Sequence, residues 1–103
     1  MAEMERRVEK YLDSEVKKIG GLTRKWENRH HAGVPDRIVV TLFGVWFVEV
    51  KTAKGKLSKM QERERDKLNE VLPNHCVTVY GKSGVDKFIR DLDYEQIRQE
   101  EYR

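Results

Sequence analysis

The sequence predicts an α/β fold, a mixed central sheet flanked by helices in the order α-β-β-β-α-β-α. Three observations carry this. Met4, Val8, Leu12, Val16 and Ile19 recur at helical spacing near the start. Two runs rich in β-branched and aromatic residues, 36–42 and 45–51, flank Gly44. A capped helical stretch then separates the second of these runs from another strand-like run at 75–80, which is the pattern of a parallel, right-handed crossover.

Each element has a local reason. Residues 3–19 form a helix with Tyr11 at the edge of its apolar face, closed by Gly20-Gly21 in the manner of a C-cap. Residues 22–26 make a short strand. The loop 28–35 follows, with Pro35 pushing its predecessor towards an extended shape. A hairpin about Gly44 joins 36–42 to 45–51, with opposed residue numbers totalling roughly 86–88. Ser58 and Gln61 fit a capping box that opens a helix to about Leu72, with Met60, Arg63, Lys67, Leu68, Val71 and Leu72 towards its buried side. Pro73-Asn74 stops it. Ser83 starts a last helix carrying Val85, Phe88, Ile89 and Leu92, and the tail from Asp93 is polar apart from Tyr94, Ile97 and Tyr102.

Composition narrows the function classes. At 103 residues the chain suits one domain spanning 1–103. Charged and hydrophobic residues each make up 38%, and the apolar ones are clustered, which argues against disorder. A net charge of +3 and a pI near 9.0 permit a polyanionic partner. One cysteine, Cys76, rules out an internal disulfide and a cysteine zinc cluster. The charged N-terminus MAEMERRVEK is no signal peptide, and the longest apolar run is too short for a bilayer. A soluble, cytoplasmic protein with no membrane partner is the expectation.

The chemistry lies in GVPDRIVV and FVEVKT. On the second strand Val45, Phe47, Glu49 and Lys51 share one face, and Trp46, Val48 and Val50 the other. Both faces are apolar up to Glu49, so the strand is central and its carboxylate requires a positive neighbour. Lys51 is one candidate and a cation another. The hairpin brings Asp36 to the same end. Two adjacent carboxylates repel unless a cation intervenes, and Mg²⁺ or Mn²⁺ is the hard, oxygen-seeking ion that suits them. Such an ion activates water against a phosphodiester, with Lys51 to orient that water or stabilise developing charge. A third carboxylate would come from the first helix. Glu5 and Glu9 lie one turn apart and both fit, with Glu9 ranked slightly ahead.

Pro35-Asp36 followed by Glu49-Val50-Lys51 resembles the PD-(D/E)xK nuclease superfamily. The fuller text, GVPDR, EVKT, GKLS and Gln61, is similar to its VRR-NUC (virus-type replication-repair nuclease) branch, short stand-alone type. The resemblance implies a restriction-endonuclease-like core and divalent-metal cleavage of DNA. It implies Asp36, Glu49 and the Val50 carbonyl as metal ligands, together with Glu5 or Glu9. Lys51 would be the catalytic lysine, and Gln61 a further site residue on the helix. A homodimer acting on branched DNA, such as four-way junctions, is implied as well. Lys54, Lys56 and Lys59, with Arg29, Arg37 and His31 nearby, would hold phosphates. The rival readings are a catalytically inactive nucleic-acid-binding module of the same fold and a small interaction protein with no nucleic-acid role.

Overall fold

The structure, a computed structural model, describes residues 4–103. Its elements are α1 (Glu5–Lys18), β1 (Leu22–Lys25), β2 (Arg37–Thr41), β3 (Gly44–Lys51), α2 (Lys59–Val71), β4 (Cys76–Tyr80), α3 (Gly81–Asp93) and β5 (Glu101–Tyr102). The expected helix start at residue 3 lies outside the described residues. One mixed sheet runs β1-β2-β3-β4-β5, antiparallel from β1 to β3 and parallel from β3 to β5.

α1 buries Val8, Leu12 and Val16. It ends in a Schellman motif: the Gly20 and Gly21 amides donate to the Lys17 and Val16 carbonyls, both at 3.0 Å, with Gly20 at φ +85°. Gly21 is needed for closeness, because a Cβ there would stand 2.8 Å from the Val40 carbonyl oxygen. α1 and α3 cover one face of the sheet. That face carries the core: Val39, Trp46, Val48, Val50, Val77 and Val79 pack against Val8, Leu12, Val16, Val85, Phe88 and Leu92. Burying such side chains contributes about 1.5–3 kcal/mol each.

α2, the crossover helix between the parallel strands β3 and β4, lies against β4. Asn69 fixes it there, accepting from the Cys76 amide and donating to the Cys76 carbonyl, both at 2.9 Å.

Several expectations need correction. The β2–β3 turn is tighter than the spacing implied: Thr41 pairs with Gly44 and Arg37 with Val48. α3 starts at Gly81 (φ +65°), ahead of Ser83, directly from the end of β4. The tail adds a strand, β5, parallel to β4. Tyr102 anchors it, edge-on to Phe88 and donating to Asp91 at 2.7 Å. Ile97 is buried, whereas Tyr94 is exposed. No residue of α2 is fully buried, and Met60, Val71 and Leu72 are open to solvent. The α2 face of the sheet is therefore covered over β4 and at Glu49, but open at the Val45 end of β3.

Candidate active site

Position 36 is where β2 departs from its neighbours. The Trp26 amide donates to the Asp36 carbonyl at 3.0 Å, continuing the β1–β2 ladder. On the other side Asp36 has turned its carboxylate into the ladder, accepting the Val50 amide at 2.8 Å. The β2–β3 register, carried one residue past Arg37 and Val48, sets Asp36 opposite Glu49. Their carboxyls share a hydrogen bond.

Glu49 is only 6% exposed. Burial pushes its pKa up to about 9, helped by the hydrogen bond and charge of Asp36 and opposed by Lys51. At neutral pH Glu49 therefore keeps its proton. Lys51 Nζ lies 4.0 Å from Glu49 Oε2 and 3.7 Å from Glu5 Oε1.

Gln61 does two jobs. Its backbone amide donates to Ser58 Oγ at 3.1 Å and its Oε1 accepts the Ser58 amide at 2.8 Å, completing the capping box. Its Nε2 donates to Glu49 Oε2 at 3.3 Å. The cap fixes the first turn of α2 and so aims the amide at the buried carboxyl.

α1 reaches the site along its acidic edge. Glu5 meets Lys51, Glu9 lies 3.7 Å from Arg37, and Asp13 accepts from Arg37 Nε at 3.0 Å. Glu9 has its pKa raised, by burial first and by the nearby Asp36 carboxylate, against the pull of Arg37. Both candidate glutamates thus stand near the carboxyl pair, each beside a different cation. Among the described residues no three His, Cys, Asp or Glu side chains already form a metal centre.

The basic residues divide. Lys54, Lys56, Lys59 and Arg29 are exposed. Arg37, in register with Val48, faces α1 and is taken up by Asp13 and Glu9. His31 Nε2 lies 2.8 Å from Glu64 Oε2, and Gly33 (φ +90°) abuts the Met60 carbonyl. Those contacts hold the 28–35 loop on α2.

Two participants escaped the sequence reading. Asp13 needed the fold, since its partner lies on β2. Thr78 is in register with Glu49 on β4 and shares its face. Alternation within CVTVY, set beside FVEVK in a parallel pair, is the signal that would have found it.

No family model matches the chain. It is 44% identical over 62 residues to "Putative nuclease p44" of Acyrthosiphon pisum secondary endosymbiont phage 1, a match covering 59% of this chain and 67% of that protein. It is also similar to a solved VRR_NUC domain, with a TM-score of 0.75 and 31% identity, over 84% of this chain and 94% of the other.

Proposed function

The chain belongs to the VRR-NUC family of nucleases, and from that premise we propose that it is a divalent-metal-dependent endodeoxyribonuclease. It hydrolyses phosphodiesters in branched DNA such as four-way junctions, as a homodimer of one nuclease domain spanning 1–103. The observation that carries this reading is the Asp36–Glu49 carboxyl pair with Lys51 two residues along the same strand face.

The donor set suits Mg²⁺ or Mn²⁺. Two carboxyls from adjacent strands meet, and one holds a proton that a cation would displace. Asp36, Glu49, the Val50 carbonyl and one of Glu5 and Glu9 would hold the ion. When bound, it supplies Lewis acidity and a lowered pKa for attacking water.

The chain's own groups do the rest. The Val50 amide holds Asp36 in place. Gln61 orients Glu49. Lys51, released from Glu5, offers its ammonium to the water or to the phosphoryl oxygens as charge builds. Lys54, Lys56, Lys59 and Arg29 hold the flanking phosphates, with His31 at the border of that surface. Arg37 instead steadies α1 through Asp13 and Glu9.

Cutting both strands of a symmetric junction takes two sites related by a two-fold axis, which a dimer supplies. Of the apolar tail residues, Tyr94 is open to such a contact and Ile97 is buried. No described helix is long and apolar enough to cross a membrane.

The test is cleavage of linear, flapped, splayed and four-way DNA with Mg²⁺, Mn²⁺ or EDTA. Metal-dependent cutting strongest on the four-way substrate is expected. Binding without cutting in either metal would mark an inactive module instead.

A further inference from the structure

Resting on the metal-site reading above, we propose that Thr78 is a positioning residue: its hydroxyl holds the Glu49 carboxylate in place for a bound cation. Thr78 sits on β4 in register with Glu49 on β3, so the two side chains stand side by side on one face of the parallel pair. It is fully buried, and its Oγ1 has no hydrogen-bond partner among the described residues.

A buried hydroxyl without a partner is rare and destabilising. Valine would fill the same space without that penalty, and valine occupies both flanking positions, Val77 and Val79. The metal-free fold therefore gives no reason for an oxygen here. The site does. Gln61 Nε2 donates to Glu49 Oε2 at 3.3 Å, and the β2–β3 register sets Asp36 opposite Glu49. A carboxylate that ligates a cation from this buried position gains from one more donor. Thr78, in register with Glu49, carries a buried hydroxyl whose donor is not engaged among the described residues. Its place is fixed, because Asn69 clamps the Cys76 backbone two residues earlier on the same face.

The experiment compares the natural protein with Thr78→Val, Thr78→Ser and Glu49→Gln, by thermal melting without metal and by calorimetric titration with MnCl₂. Metal-free Thr78→Val should melt at or above the natural protein, yet bind Mn²⁺ roughly 10- to 100-fold more weakly. Thr78→Ser, which keeps the donor, should recover most of that affinity. Natural Mn²⁺ affinity in Thr78→Val, with Glu49→Gln impaired, would overturn the role of Thr78 and leave the metal reading standing. A lower metal-free melting temperature for Thr78→Val would also overturn it, since the hydroxyl would then already serve the fold. No Mn²⁺ uptake by the natural protein would overturn the metal reading and this inference with it.

Discussion

At the scale of single residues, Glu49 sets the terms. Unfolded, its carboxyl titrates near 4.5; folded, near 9, because burial and Asp36 both favour the neutral form. Between these values the unfolded chain binds fewer protons than the native one. The stability that neutral Glu49 contributes is therefore complete below about pH 4.5 and drains away as pH rises towards about 9. Metal-free protein should show a melting temperature falling across this window, and Glu49→Gln, permanently neutral, should flatten the slope. On the proposed metal reading a cation would take the place of the proton, so Mn²⁺ affinity should climb with pH over the same range. Lys51 is the complementary case. Lys51→Ala should fold, as shown by an unchanged circular dichroism spectrum, but lose at least ~10²-fold in single-turnover cleavage, the scale of one lost stabilising group. Full activity in that variant would remove Lys51 from the chemistry.

At the scale of elements, the helix N-terminus at Ser58 ties stability to the site. Ser58→Ala should cost about 1 kcal/mol in denaturant unfolding. It should also slow cleavage, because the freed Gln61 no longer points reliably at Glu49. The capping box was plain in the sequence, as were α1, the hairpin strands and β4, because helical and alternating periods are local signals. Gln61 shows the limit of local signals: its cap was legible, but that the same side chain also donates to Glu49 appears only with the fold. β5 was invisible because two residues make no pattern; Tyr102 finds its place only through Phe88 and Asp91. Arg37 read as a phosphate contact because its partners, Asp13 and Glu9, are distant in sequence and arrive with the packing of α1. The exposed apolar side of α2 was equally hidden, since periodicity marks a face without saying what covers it.

At the scale of the molecule, the site lies at one end of a sheet whose helix-sealed face supplies rigidity and whose α2 face stays partly open to a substrate. The lysines of 54–59 border that opening and are exposed. Binding to DNA should weaken linearly with log salt concentration. Each phosphate contact removed should reduce the slope by about 0.9, so Lys54→Ala/Lys56→Ala should bind less tightly with a slope shallower by about 2. An unchanged slope would place the DNA elsewhere on the surface. The account as a whole turns on a divalent ion between Asp36 and Glu49, and anomalous diffraction from crystals soaked in MnCl₂ tests it most directly. A manganese peak bridging the two carboxylates, with Lys51 beside it, is the predicted result; manganese bound only at other sites, or no peak while both side chains remain hydrogen-bonded to each other, would contradict it.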